Sequence, residues 1–250
     1  MKALLNTAGG IRYHLRALFA KDDLWKPFRE QVALWLQEWK PDAKHLVLVG
    51  PSGGYCLKRE FLNRFDRITV WDPDPLAEAV FKTRYSDVRA IVDLNFIWKR
   101  SDFFNALLRA EFDPGNFSKI YLHSEKFCIC FSNILGQLID IHDSELMTYE
   151  DLLKGLARFL KNVPWVSFHD RLSGSLKPRI IEPVQSKDRL DATALRQMFY
   201  SAEHGGELWE HDLDILMKDK TAFAYWVWPL TKKRHHIIEG VQGNSQSVIL

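Results

Sequence analysis

The central part of the chain alternates between short apolar runs and segments in which apolar residues recur every three or four positions. Short runs without regular polar alternation occupy residues 46–49, 68–71, 127–131 and 165–168. Such runs are typical of parallel strands that are buried on both faces of a sheet. The pattern therefore predicts repeated strand–helix units around a mostly parallel sheet.

The segments between these runs have the apolar spacing of helices. We predict helices at about residues 55–65, 76–85, 103–111, 148–160 and 192–200. A further strand is predicted within residues 91–98, although Asp93 and Asn95 interrupt its apolar run. We expect this strand to end near Trp98, with Asp102 just beyond it.

The beginning of the chain also has a helical pattern. Residues 11–39 carry apolar positions at helical spacing, with Asp22 or Asp23 as the expected N-cap and Pro41 as the stop signal. We interpret residues 1–41 as a helical extension of a domain formed by residues 42–250. Structural packing on that domain is the favoured interpretation of the extension, and a lid over a site is the alternative.

Two apolar runs close the chain, at residues 222–228 and 236–241. The short segment 229–234 between them has no helical pattern, so we expect an antiparallel hairpin. His235 and His236 stand beside basic residues at this junction, which favours a solvated turn over a metal site. The long connection at residues 171–189 is basic and contains proline, and is a candidate for a substrate-facing cap.

The first predicted strand ends in a glycine-rich segment, residues 50–54, and the second ends in Asp72 and Asp74. Small residues let backbone N–H groups approach a ligand, and an acid at the next strand tip can accept hydrogen bonds from a ribose. The glycine spacing is not that of a GxGxxG fingerprint, and the Gly-Lys-Ser/Thr of a phosphate-binding loop is missing. Asp72 and Asp74 have no third ligand nearby in sequence, so we predict no metal site.

Composition narrows the range of functions. The 250 residues are 46% hydrophobic and 26% charged, as in ordinary globular domains, and 13% are aromatic. A formal net charge of +2 does not favour nucleic acid or an anionic membrane as the main partner. Three cysteines form neither a disulfide framework nor a zinc set, and no apolar stretch approaches the length of a membrane span. We expect a cytoplasmic protein without a signal peptide.

Strands that alternate with helices, polar residues at strand ends and a final antiparallel hairpin resemble the class I S-adenosylmethionine-dependent methyltransferases. The resemblance covers about residues 42–243. It implies a Rossmann-like, three-layer α/β/α sandwich with a seven-stranded, mostly parallel sheet whose last strand runs antiparallel. It also implies S-adenosyl-L-methionine as the cofactor, bound with the substrate at the carboxyl ends of the strands.

The resemblance assigns roles to particular positions. Asp72 falls on the acid that binds the ribose, with Asp74 as the alternative, and Asp102 falls on the position facing the adenine, with Asp93 as the alternative. The family's glycine-rich loop and the boundary between cofactor and substrate fall on Gly50, Ser52, Gly53, Gly54, Ser132 and Asn133. The chain departs from the family pattern at Leu48, where an acid is common, and at Ser52, which replaces the middle glycine.

Asn133 and His169 are the catalytic candidates. Asn133 would polarise a substrate or accept a hydrogen bond from an amine, and otherwise caps a helix; His169 would act as general base, and otherwise is a structural hydrogen bonder. The predicted reaction is direct in-line methyl transfer to a small molecule or a protein. A catalytically silent binding module and, less favoured, a nicotinamide-dependent oxidoreductase are the alternatives. The oligomeric state stays open.

Overall fold

The computed structural model describes residues 11–20, 23–72, 74, 76–88, 102–123, 126–137, 147–200 and 207–243. The predicted strand within residues 91–98, including Asp93, lies outside these ranges, as does the side chain of Asp102. Within the described part of the chain, no helix is long and apolar enough to cross a membrane.

The described residues form one mixed sheet in the order β2-β1-β3-β4-β8-β7-β5, with β6 paired to β4 beside this path. The strands are β1 (His45–Val49), β2 (Arg67–Trp71), β3 (Phe127–Ser132), β4 (Trp165–Gly174), β5 (Val184–Ser186), β6 (Leu208–Glu210), β7 (Phe223–Thr231) and β8 (Arg234–Gly243). Strands β1 to β4 pair in parallel. Strand β8 runs antiparallel to both of its neighbours, β4 and β7, which confirms the predicted mostly parallel sheet and C-terminal hairpin.

Helices cover both faces of this sheet. They are α1 (Ile11–Ala20), α2 (Lys26–Glu38), α3 (Arg59–Leu62), α4 (Ala77–Arg84), α5 (Asp102–Arg109), α6 (Pro114–Phe117), α7 (Tyr149–Leu160), α8 (Ala192–Phe199) and α9 (Asp214–Met217). Helix α7 begins after Thr148, whose side chain caps it by accepting a hydrogen bond from the Asp151 N–H.

Alternate residues of each strand point into two separate cores, which makes the fold a three-layer α/β/α sandwich. Val47 and Ile129 face one core, with α5, α7 and α8, whereas Leu48 and Cys130 face the other, with α2, α3 and α4. Both faces of β1 are therefore apolar, as its uninterrupted hydrophobic run predicts. Cys128 and Cys130 pack in the same core, because residues two apart in a strand point to the same face.

The N-terminal extension contains two helices, α1 and α2. Helix α2 packs Phe28, Val32 and Leu36 into the core that also contains β1 and β2. The predicted cap is wrong: the N-cap is Trp25, Pro27 lies in the first turn, and no side chain caps the helix. Proline takes this role because the first turn of a helix does not need its N–H.

Two other boundaries differ from the sequence prediction. The expected helix at residues 55–65 is shortened to α3, because the turn after Gly54 continues to about residue 56. The strand predicted at residues 165–168 is also too short, since β4 continues to Gly174. Leu172, Ser173 and Gly174 are paired on both sides, by β8 and by β6, so backbone hydrogen bonding extends the strand past its apolar run.

Candidate functional site

The glycine-rich turn and the acids after β2 meet at the carboxyl edge of the sheet. Gly50 and Gly54 have positive φ angles of 70° and 68°, which side chains with a Cβ rarely adopt. Ser52 also lies in the left-handed region, with a φ of 50°. The Ser52 N–H donates to Asp72 Oδ2, which directly joins the turn to the end of β2.

Asp72 is buried and is held by backbone donors. Besides the bond from Ser52, its Oδ1 accepts the Asp74 N–H at 2.8 Å. Burial raises the pKa of Asp72 to about 7, although these backbone hydrogen bonds oppose the shift. Asp72 is therefore a buried acid that is harder to ionise than an exposed aspartate.

Asp74 connects this edge to helix α1. Its Oδ1 accepts the Leu76 N–H at 3.0 Å, and its Oδ2 lies 3.4 Å from Ser52 Oγ. The same Oδ2 lies 3.0 Å from His14 Nε2, and His14 Nδ1 lies 2.7 Å from the Tyr55 hydroxyl. A carboxylate at Nε2 favours a proton there, so the Tyr55 O–H donates to Nδ1. Helix α1 thus covers the acidic edge.

Two glycines of the turn are required by close packing. A Cβ on Gly50 would lie 2.7 Å from Ile134 Cβ, and one on Gly54 would lie 2.6 Å from the Tyr85 ring. The Tyr85 hydroxyl donates to the carbonyl oxygens of Gly54 and Leu57, at 2.6 and 2.9 Å. A tight first turn and close packing at the last glycine are what a nucleotide-binding turn needs. Gly53 is equally crowded, by Val80 and Tyr55.

The predicted boundary residues lie at the end of the adjacent strand, β3. Ser132 is the last residue of β3 and is buried. Asn133 follows with a φ of 56°, and its Oδ1 accepts the Asp170 N–H at 3.1 Å. Asn133 therefore joins β3 to β4 at the carboxyl edge.

The His169 side chain lies on the face of β4 opposite to Asp170, where it contacts Ser167 and Glu239. It is 0% exposed, its Nδ1 lies 3.0 Å from Ser167 Oγ and its Nε2 lies 3.2 Å from Glu239 Oε1. Glu239 also accepts two hydrogen bonds of 3.0 Å from Arg189 Nε. Burial opposes ionisation of Glu239, but His169 and Arg189 lower its pKa to about 2. This polar cluster explains His169 without a substrate.

The sequence missed a second pair, Asp170 and His236. His236 is buried, so its assignment to a solvated turn is wrong. Its Nδ1 lies 2.9 Å from Asp170 Oδ1, and its ring lies 5.7 Å from that of Trp228. Its Nε2 has no hydrogen-bond partner within the described ranges. Burial raises the pKa of Asp170, but the neighbouring His236 lowers it by more, so the pKa lies below its ordinary value.

The register of β8 against β4 brings Asp170 and His236 together. His236 lies opposite Ser173 and Ile238 opposite Asp170, so the pair forms across neighbouring strands. No group of three or more metal-ligating side chains occurs in the part of the chain that the structure describes. A groove of about 1070 Å³ around His45 and Arg67 lies at the opposite, amino ends of the strands and has no part in this site.

No family model and no curated protein sequence matches this chain. Solved structures do. The N-methyltransferase NodS from Bradyrhizobium japonicum WM9, in complex with S-adenosyl-L-homocysteine, is 10% identical, with 88% of this chain and 87% of that chain covered and a TM-score of 0.44. Magnesium protoporphyrin IX methyltransferase (ChlM) from Synechocystis PCC 6803, with bound SAM, is 10% identical, with 86% and 78% covered and a TM-score of 0.39.

A SAM-dependent methyltransferase from Aquifex aeolicus is 11% identical, with 89% and 93% covered and a TM-score of 0.37. Similarity at these levels assigns neither a substrate nor residue roles to this chain. The sheet order is the stronger observation, because the last strand is inserted antiparallel between parallel strands, as the resemblance implies. The chain has a Rossmann-like α/β/α fold.

The carboxyl edge fits a nucleoside cofactor in its backbone and its acids. The turn has the required conformation at Gly50 and Gly54, and two carboxylates lie beside it. The half-buried Ser52 stands where a backbone must approach the ligand, and its positive φ preserves the turn without glycine. Helix α1 is the element that would have to accommodate the ligand, because His14 contacts Asp74.

Proposed function

We propose that this protein is an S-adenosylmethionine-dependent methyltransferase that transfers a methyl group to a small molecule or a protein by direct in-line displacement. The observation that carries the proposal is the bond between Ser52 N–H and the Asp72 carboxylate, which joins a glycine-rich turn to an acid at the carboxyl edge of this fold. The bound cofactor would supply an activated methyl group, so the protein mainly provides alignment and exclusion of water.

The chain's own residues divide this work. Gly50, Ser52, Gly53 and Gly54 would hold the cofactor through the backbone, and Asp72 or Asp74 would accept its ribose hydroxyls. Asp102 and Ser132 remain proposed contacts to the adenine and to the cofactor–substrate boundary. Acids suit the ribose because a carboxylate accepts hydrogen bonds from both hydroxyls.

In the part of the site that would bind the methyl acceptor, Asp170 and His236 are better candidates for the general base than His169. Both ring nitrogens of His169 already face Ser167 and Glu239, whereas His236 Nε2 is unpartnered within the described ranges. A base oriented by a carboxylate can remove a proton from a hydroxyl or an ammonium group. The Asn133 side chain would position this pair, because it holds the backbone of Asp170.

The His236 assignment has a spectroscopic test. Asp170 at 2.9 Å favours a proton on Nδ1 of His236, which leaves Nε2 as the basic atom. Long-range ¹⁵N–¹H spectra of the imidazoles should find this form in the native protein and lose the preference in Asp170→Asn. Glu210→Gln, which changes a contact of Arg171 instead, is the control. A Nε2-protonated His236 in the native protein would contradict the assignment.

Ligand binding tests the cofactor site. We expect calorimetry to detect S-adenosylhomocysteine binding to the native protein and to find it weakened about tenfold or more by Asp72→Asn, because a charged acceptor is lost. Asp74→Asn, measured in parallel, identifies which acid binds the ribose. Asp87→Asn is the matched control, since Asp87 is exposed and contacts Arg59.

A second candidate is a catalytically silent binding module. It is favoured by one observation: both oxygens of Asp72 already accept backbone N–H groups, and His14 lies on Asp74. Absence of binding of either S-adenosylmethionine or S-adenosylhomocysteine to the native protein and to the variants would favour this module and reject the methyltransferase.

A further inference from the structure

The position of helix α1 bears on how a ligand could reach the acidic edge. Of the contacts described for α1, those with chemical specificity are made by His14, which meets Asp74 Oδ2 at 3.0 Å and the Tyr55 hydroxyl at 2.7 Å. Tyr13 adds ring contacts with Trp25 and Tyr55, at 5.6 and 5.8 Å between centroids. Asp74, one of the two carboxylates proposed to accept a ribose hydroxyl, is therefore contacted by the protein's own histidine.

The rest of α1 holds it in place only weakly. Its buried side chains among the described ones are His14 and Ala17, and Tyr13 is partly buried against Trp25 and Tyr55, whereas α2 buries five. Its outward apolar side chains are 46–84% exposed: Ile11, Leu15, Leu18 and Phe19. Because little apolar area is removed from water on the inner side, polar contacts at His14 make a large share of the attachment.

We propose that α1 is a self-inhibitory lid, which His14 holds on Asp74 and which must leave before a nucleoside can reach that carboxylate. The inference rests on the proposed function, because it names the ligand that competes with the helix. Asp74 Oδ2 already lies against His14 Nε2 and Ser52 Oγ, so a ribose hydroxyl would have to compete with His14 for this oxygen. The apparent affinity is therefore the intrinsic affinity multiplied by the fraction of molecules in which α1 is displaced.

The region beneath α1 supports a covering role that extends beyond Asp74. Burial raises the pKa of Tyr13 well above its ordinary value, and Cys56, Tyr55, Asp72 and Asp170 raise it further. The charge of Tyr13 is therefore influenced by Asp72, at the end of β2, and by Asp170, in β4.

The test compares His14→Ala with Leu15→Ala in the full chain. Both changes introduce alanine into the same helix, so both favour the helical state, but Leu15 points outward. We expect His14→Ala to accelerate hydrogen exchange of the α1 amides about tenfold and to tighten S-adenosylhomocysteine binding about five- to tenfold in calorimetry. Leu15→Ala should leave both quantities close to native. Tyr55→Phe should act like His14→Ala with a smaller effect, because it removes one of the two contacts of His14.

The outcomes separate the inference from the proposed function. Unchanged α1 exchange in His14→Ala would overturn the inference, as would weaker binding, because His14 would then help to hold the ligand. Binding to the native protein with either result would leave the proposed function intact. Faster α1 exchange in His14→Ala, with no S-adenosylhomocysteine binding to any variant, would reject the proposed function and the competition with a ligand. It would still support the view that His14 attaches α1 to Asp74.

Discussion

Replacing Glu239 with glutamine is expected to lower the free energy of unfolding by about 3 kcal/mol. Glu239 is 0% exposed and is the common partner of His169 and Arg189, and Arg171 Nε lies 3.9 Å away. Removing one member of a buried charged cluster leaves its partners uncompensated in a medium of low polarity, which costs several kcal/mol. For a chain of this length, the loss corresponds to a melting temperature lower by about 6–12 °C.

The pH dependence follows from the low pKa of Glu239. Its folded pKa of about 2 lies below the ordinary value of 4.5, so the stabilisation is fully present above about pH 4.5. It is lost as the pH falls toward 2, because the folded and unfolded states then bind the same number of protons. The native protein should therefore lose stability between about pH 4.5 and 2 more steeply than Glu239→Gln.

Denaturant unfolding at pH 7 and pH 3 measures both effects. Glu210→Gln is the control, because Glu210 contacts Arg171 Nη1 at 2.6 Å but its side chain is 40% exposed. Water screens such a pair, so the expected loss is at most about 1 kcal/mol. Equal losses in the two variants would contradict the role of Glu239 as the centre of the buried cluster.

Gly54→Ala should cost about 3 kcal/mol of stability, the second large effect. An alanine at a φ of 68° loses about 1 kcal/mol in the left-handed region, and its Cβ would lie 2.6 Å from the Tyr85 ring. That ring cannot easily move, because its hydroxyl is bonded to the carbonyl oxygens of Gly54 and Leu57. Overpacking against a fixed ring adds about 2 kcal/mol.

Thermal unfolding of Gly54→Ala and Gly115→Ala tests this prediction. Gly115 lies in helix α6 without a positive φ, and a Cβ there would meet only the end of the Asp113 side chain, at 3.1 Å. Alanine also favours a helix, so the control should be neutral or slightly stabilising. A melting temperature of Gly54→Ala close to that of Gly115→Ala would show that the turn tolerates a side chain.

The central strands and the terminal hairpin could be predicted because their signals are local. Residues 46–49 and 68–71 are continuously apolar, and this pattern corresponds to burial on both faces of β1 and β2. The same holds for the stripe of helix α7 and its Thr148 cap. Helix and strand boundaries were less predictable: β4 continues through four polar or small residues because β6 and β8 pair with its backbone.

The two halves of the candidate site differ in how they could be found. Asp72 and the glycine-rich turn are about twenty residues apart and belong to one strand–helix–strand unit, so sequence order alone predicts that they meet. The pair of Asp170 and His236 joins residues 66 positions apart, and its formation depends on the register of β8 against β4. The same register places His169 against Glu239, on the opposite face.

The sequence by itself determined the alternation of strands and helices, the antiparallel hairpin and the meeting of the glycine-rich turn with Asp72, because hydrophobic period and turn chemistry act over short distances. Tertiary structure decided which polar groups are engaged. His14 lies on Asp74, His169 is held within a buried ionic cluster, and His236 is removed from solvent. These contacts depend on long-range packing and strand register, and a local pattern carries no information about either.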